Sequence, residues 1–456
     1  MNKQYPIQWL DEEGLTFYYP AELKGVKQTD MQIAYGTFSV TAKCLPHPEG
    51  RNRIILTKEL AKQLKIPKLA GPLHLFINEK TLYLGPLIGI FTSGFTPFKV
   101  RPLGERTLFF SKLLSVKKTI GAHAFIFGEN HINWEDGTIN GLFYQEKGWE
   151  TIEVPFPNVI YDRLPNRRSE KRVRLAQVKD RLQNDYLIPW YNPGFFNKLE
   201  IFEKLQQDQK CEKYLPETHP FTSFSLIERM LADYGHVYLK PKNGSLGNGI
   251  HQIIYNAVEG HYYCRYQDKQ GDNKLRKYQT LESLFSNLFK NKRLTGMLVQ
   301  QGIHSLRVDK RPVDFRVHTN KDALGNWKVT AIAAKIAGLG SVTTHVKNGG
   351  EIKTIPEIFE SAAQQEEIIA KLKTACLDLS SCLENQMNGI IGEIGFDLGI
   401  DREGNVWLFE ANSKPGRSIF KHPQLKEYDM LTRKLSLAFS IFLTEQSISR
   451  PEEIFK

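Results

Sequence analysis

Cysteine is scarce in this chain of 456 residues: Cys44, Cys211, Cys264, Cys376 and Cys382 are the full set of five, at scattered spacings. No CxxC pair and no cysteine–histidine cluster of zinc-binding spacing occurs, which excludes a disulfide framework and a zinc ribbon. The expectation is five reduced core thiols in a cytosolic compartment. Long apolar runs are also missing. Stretches such as Pro86 to Phe91 fall far short of the roughly 20 residues that span a bilayer. The opening residues Met1-Asn2-Lys3-Gln4-Tyr5-Pro6 lack the apolar core of a signal peptide, so neither export by that route nor a transmembrane segment is expected. Internal repeats and low-complexity tracts are absent.

What is present is ordinary for a globular protein: 41% hydrophobic and 24% charged residues. The length suggests roughly three units. A net charge of +11 admits three partners: nucleic acid, an anionic surface, or an anionic small molecule. The densest basic stretch, Arg163 to Arg181, holds eight Lys or Arg against two acids and has a helical pattern. A solvated linker helix is the expected reading, and an anion-facing surface the alternative. No nucleic-acid module accompanies the charge, so nucleic acid is not the expected partner.

Residues 1–84 alternate apolar and polar positions in short runs, interrupted by one helix from Lys58 to Leu64, and read as a β-rich N-terminal domain. Over 85–189 strands alternate with helices: Leu87 to Phe91, a helix from Gly104 to Ile120, Ala124 to Phe127, and Asn158 to Tyr161. That order predicts an open α/β domain ending in the basic helix. The turn Thr92-Ser93-Gly94-Phe95 is too poor in glycine for a dinucleotide fingerprint. Ile188-Pro189-Trp190-Tyr191-Asn192-Pro193-Gly194 marks a boundary, and 190–456 forms the third unit. The fold class is α/β (α+β).

Two elements carry chemistry. In Val237-Tyr238-Leu239-Lys240-Pro241-Lys242-Asn243-Gly244-Ser245-Leu246-Gly247-Asn248-Gly249-Ile250, glycines between two strands let backbone N–H groups close over phosphate oxygens. Lys240 adds a point charge. No Gly-Lys-Ser/Thr follows, so this is not a Walker loop; a ligand-free hairpin is the alternative. In the second element, Asp397 and Glu410 lie on two strands joined by a turn at Gly404-Asn405. Glu410 and Asn412 share a face because strand side chains alternate. Two carboxylates and an amide oxygen suit Mg²⁺, against the alternative of acids on an exposed hairpin face. His304, His318 and His345 are expected in structural or surface roles. The loop Gly338 to Gly350, with Thr343 and Thr344, is either a substrate loop or a plain connection.

Lys240-Pro241, Gly244 to Gly249, Asp314-Phe315-Arg316 and Glu410-Ala411-Asn412-Ser413-Lys414-Pro415-Gly416 together resemble an ATP-grasp fold. More closely, the chain resembles the YheC/YheD family of endospore coat-associated proteins. Gly85 to Ile90, Pro155 to Arg163, and Val313 to Val317 through Gly350 look like that family's blocks.

The resemblance implies an ATP-grasp domain preceded by a pre-ATP-grasp α/β domain. ATP and Mg²⁺ are the implied cofactors. The implied nucleotide contacts are Lys198, Lys240, Gly244, Ser245, Gly247, Gly249 and the hinge residues Gln300, Gln301 and Ile303. Asp397, Glu410 and Asn412 are the implied metal ligands, and Arg316 with Lys240 the catalytic cations.

An ATP-dependent carboxylate–amine ligase acting through an acyl phosphate follows, with unidentified carboxylate and amine substrates. The alternative is a structural spore protein that binds ATP without turnover. Spore coat proteins are implied partners, and the implied location is cytoplasmic, with the forespore or spore coat. Three positions depart from the pattern: Gln301 stands where many hinges carry Glu, Lys335 near where ribosomal-tail ligases put an arginine, and Gly395 where D-alanine ligases have one.

Overall fold

Short alternating strands need a second layer or closure to hide their apolar face, and the first 85 residues use closure. The computed structural model describes residues 3–23, 29–242, 249–290 and 294–454. Strands Gln4–Leu10, Thr16–Tyr19, Asp30–Tyr35, Phe38–Pro46, Ile54–Thr57, Pro72–Asn78 and Thr81–Gly85 form a closed barrel. Gln4–Leu10 pairs with both Ile54–Thr57 and Pro72–Asn78, which leaves no open edge. Phe17, Ile33, Tyr35, Leu56 and Leu73 fill its interior.

In the next sheet Leu87–Phe91 lies between His123–Phe127 and Val159–Asp162, parallel to both. Val159–Asp162 continues in parallel to Trp190–Tyr191. All five residues of Leu87–Phe91 are buried, as an apolar run without alternation requires of a strand covered on both faces. Phe91 and Asp162, the last residues of two of these strands, line a cavity together with Leu164, Leu175 and Trp190.

Two sequence expectations are corrected here. The helix expected over 104–120 is a 3-10 turn Gly104–Arg106, a helix Thr107–Ser115 and a helix Lys117–Ile120. It loosens at Val116 and stops at Gly121, whose φ of 68° is left-handed. The basic helix begins at Arg167 rather than Arg163, because Pro165 holds the residue before it extended and Asn166 caps the Ser169 N–H at 2.9 Å. A second piece covers Val173–Asn184. Arg163 is therefore no helix residue; it follows a buried strand and pairs with Glu393 at 3.3 Å.

Beyond Trp190 lie two further sheets. One has the order Thr218–Pro220, Met297–Gln301, His236–Pro241, His251–Asn256, His261–Gln267, Asn273–Tyr278. Helices Phe224–Tyr234 and Leu281–Leu288 share its core. The other runs Glu351–Lys353, Trp327–Ile336, Arg311–Lys321, Glu393–Ile400, Val406–Asn412. Its Val313, Phe315 and Val317 pack with the helix Ala362–Gln386. Alternation turns Asp314, Arg316, His318 and Asn320 to the opposite face. Buried Asn192, just past Trp190–Tyr191, ties this sheet to the parallel one of Leu87–Phe91: its amide donates to the Glu393 and Ser413 carbonyls at 2.8 and 2.6 Å and accepts from Gly392 N at 2.8 Å. All five cysteines are buried, and none is in a disulfide. Among the described residues no helix is long and apolar enough to cross a membrane.

Candidate functional site

The two carboxylates face each other because a tight hairpin starts the ladder and a β-bulge at Phe409 then shifts it by one residue, so that Asp397 meets Glu410 rather than Phe409. Asp401 accepts from Asn405 N at 2.8 Å and Trp407 Nε1 at 2.7 Å, pinning the turn between Glu393–Ile400 and Val406–Asn412. The ladder then pairs Asp397 with Glu410 and Gly395 with Asn412. Directly opposed residues of an antiparallel pair bring their Cβ atoms to about 5 Å, so three oxygen-bearing side chains share one patch.

Cations hold both acids. Arg316, the cross-strand partner of Asp397, pairs with it at 2.9 Å, and Lys335 pairs with it at 3.1 Å. Burial alone would raise the Asp397 pKa, but the charges of Arg316 and Lys335 outweigh it and bring it down to about 2. Glu410 pairs with Lys198 at 3.5 Å. Lys198 is the first residue of the helix Lys198–Gln206, fixed there by the Asn197 cap.

Lys240, last but one in the strand His236–Pro241 of the other sheet, stands 5.7 Å from the Phe409 ring centroid and 5.5 Å from that of Tyr238. Its ammonium donates to the Gln300 amide oxygen. Burial first, and then the charge of Lys198, lower its pKa to about 8 against Glu410, Asp314 and Asp397. An ammonium so poorly solvated gains from an incoming anion.

Gln300 passes the contact on, donating to Thr218 Oγ1 at 2.9 Å. Gln301 spends its amide oxygen on Glu217 N at 3.0 Å. Ile303 is buried just past the strand. From Gly302, whose N–H bonds His236 O, the chain reaches the second sheet by Leu306, whose N–H bonds Ile400 O. Gly244, Ser245 and Gly247 lie outside the described residues. Gly249 adopts a φ of +74°, a backbone that suits glycine.

Asp314 was quoted from the sequence without a role, and Lys335 only as a departure. Both belong to the site. They are cross-strand partners, and Asp314 sits two residues from Arg316 on the same face. Strand alternation applied to Asp314-Phe315-Arg316 would have found the first. Burial, chiefly, raises the Asp314 pKa to about 6, against the Lys335 charge and the hydrogen bond from Thr344 Oγ1 at 2.7 Å. That bond brings the loop 338–350 against the charged face. His318 is fully buried, and neither ring nitrogen has a partner among the described residues.

The donor set of Asp397, Glu410 and Asn412 fits a hard divalent cation of the Mg²⁺ type, which takes one or two carboxylates and leaves room for phosphate oxygens. Arg316 Nη1 is buried without an acceptor among the described residues, a donor waiting for an oxygen these residues do not supply.

The family model for YheC/D-like ATP-grasp proteins matches residues 187–443. The endospore coat-associated protein YheD of Bacillus subtilis (strain 168) is 41% identical over 440 residues, 96% of each chain. YheC of the same organism is 22% identical over 284 residues, 61% of this chain and 77% of its own. Among solved structures, the D-alanine–D-alanine ligase from Bacillus anthracis complexed with ATP is 12% identical with a TM-score of 0.45, covering 79% of this chain and 99% of the ligase. The extent of the family match and the identity to YheD place the chain: it belongs to the YheC/YheD ATP-grasp family.

Proposed function

We propose that this protein binds Mg-ATP between its two C-terminal sheets, within the unit 190–456, and is an ATP-dependent carboxylate–amine ligase. One observation carries the reading: Asp397 and Glu410 are opposed and flanked by Lys198, Lys240, Arg316 and Lys335. Four cations around Asp397, Glu410 and the neighbouring Asp314 suit a triphosphate with its metal. Lys240, Lys198 and the backbone around Gly249 hold the phosphates, and Gln300, Gln301 and Ile303 border the base. A bound Mg²⁺ held by Asp397, Glu410 and Asn412 would neutralise phosphate charge. A substrate carboxylate attacks the γ-phosphorus, ADP leaves, and an acyl phosphate forms. The amine then attacks the acyl carbon, releasing phosphate and a proton. Arg316, with its unpartnered Nη1, stabilises the charge that develops on the transferred group.

The similarity to YheD supports a location with the endospore coat and favours a second reading, a coat-associated protein that binds ATP without turnover. Incubation of the purified protein with Mg-ATP and a metabolite extract, read by mass spectrometry, separates the two. ADP formed together with a new amide is expected of the ligase; bound ATP with no nucleotide consumed supports the scaffold.

A further inference from the structure

Four arginines from distant segments gather around Phe109 and Glu393, near the carboxyl ends of Leu87–Phe91 and Val159–Asp162. Arg106 donates to Thr92 Oγ1 at 2.9 Å and to the Ser93 carbonyl. Arg163 and Arg433 stand 4.9 and 5.0 Å from the centroid of one ring, Phe109. Arg417 stands 4.7 Å from that of Phe420.

Their carboxylates are too few. Asp429 takes Arg417 at 2.8 Å and Arg433 at 3.0 Å; Glu393 takes Arg163 at 3.3 Å and Arg417 only at 3.7 Å. Among the described residues no carboxylate is within ion-pair distance of Arg106. Four cations against two anions leave two positive charges in a largely desolvated place, where like charges repel strongly. Burial, and then the neighbouring arginines, lower the pKa of both Arg106 and Arg433. Polar atoms are also left over. Glu393 is fully buried, yet its Oε1 has no hydrogen bond, and His318, paired across the ladder with Gly395, has none at either nitrogen. A side chain at Gly395 would collide with Pro415, so the sheet face between Asp397 and Glu393 carries none there.

We propose that Arg106, Arg163, Arg417 and Arg433 form a subsite for a second oxyanion of the acid substrate. The proposal rests on the ligase reading for the first carboxylate, the one activated beside Arg316. Glu393 and Asp397 are four residues apart on one strand, about 13 Å at the usual rise. The substrate is therefore an extended molecule with its reacting carboxylate at one end and a carboxylate or phosphate at the other. Two unpaired guanidinium charges select it over a monoacid, since planar N–H forks bind such oxyanions in paired hydrogen bonds.

The test is calorimetric titration of the full chain, saturated with Mg-ADP, with undecanedioate, a dicarboxylate long enough to span the two sites, inorganic phosphate and acetate at constant ionic strength. Undecanedioate or phosphate should bind at least tenfold tighter than acetate, and the tighter of the two identifies the oxyanion. Arg106→Gln and Arg163→Gln should each weaken that binding at least tenfold while Mg-ADP affinity stays unchanged. Arg106→Gln breaks no ion pair, so it carries the test should Arg163→Gln fail to fold. Equal affinity for all three anions, or affinity unchanged in Arg106→Gln, would overturn the proposal. If Mg-ADP fails to bind while the arginine-dependent anion binding persists, the nucleotide reading falls and the anion subsite stands.

Discussion

Replacing Asp314 with Asn should stabilise the protein at neutral pH. Burial lifts this carboxyl from 3.8 to about 6. Between those values the folded state holds a proton that the unfolded chain has released. Its contribution to stability is therefore complete below about pH 4 and is lost as pH rises through about 6. At about 1.4 kcal/mol for each tenfold change, the full penalty is about 3 kcal/mol; partial exposure of the side chain screens it to about 2 kcal/mol. Asn is nearly isosteric, keeps an oxygen for the Thr344 hydroxyl, and carries no charge. Urea unfolding at pH 7.5 should show the variant about 2 kcal/mol more stable, and at pH 4 equal to wild type within error. A variant less stable at pH 7.5, or a gap independent of pH, would refute the assignment of Asp314 as a desolvated charge.

Arg316→Ala should leave Mg-ATP affinity within a few-fold yet reduce ADP release to background, because a cation aimed at developing charge acts mainly in the transition state; parallel calorimetry and a coupled ADP assay read both. Lys117, buried and bonded to the Tyr144 carbonyl at 2.6 Å, has its pKa lowered by burial from 10.5 to about 8. Between these values the unfolded chain binds more protons, so wild type should gain stability relative to Lys117→Met as pH rises from about 8 to 10.5. Urea midpoints at pH 7.5 and 10 check it. The basic segment should bind nucleic acid weakly at about 150 mM salt, where exposed charges are largely screened. Arg163 is buried and Arg167 donates to the Phe196 carbonyl at 2.7 Å, leaving fewer free cations than the sequence suggests. Sub-micromolar binding by fluorescence anisotropy, lost on charge reversal of Arg168, Arg172 and Arg174, would contradict this.

Local periodicity made much of the architecture legible. Alternation sets Glu410 and Asn412 on one face and the turn brings Asp397 to the region of Glu410, but the pairing itself was not legible: the turn's register would oppose Asp397 to Phe409, and a β-bulge shifts it by one residue. Barrel closure was not legible: it depends on Gln4–Leu10 pairing with Pro72–Asn78, a contact no local pattern encodes. The basic helix was misread at its start because charge density cannot tell a buried strand end at Arg163 from a solvated helix turn. Lys335 was visible as a residue but not as a partner of Asp397, because that contact needs the register of a neighbouring strand. The arginine cluster and the Asn192 clamp join segments more than two hundred residues apart, where sequence spacing carries no geometric information.

The central claim, a Mg-ATP site bounded by Lys240 and Glu410, is tested most directly by the thermal midpoint of the full chain with and without Mg-ATP. A ligand held only by the folded state stabilises it by about 2.7 kcal/mol at a hundredfold excess over Kd, so the midpoint should rise by several degrees. Lys240→Ala and Glu410→Ala should each remove most of that rise. A midpoint unmoved by Mg-ATP, or a rise retained in full by both variants, would contradict the account.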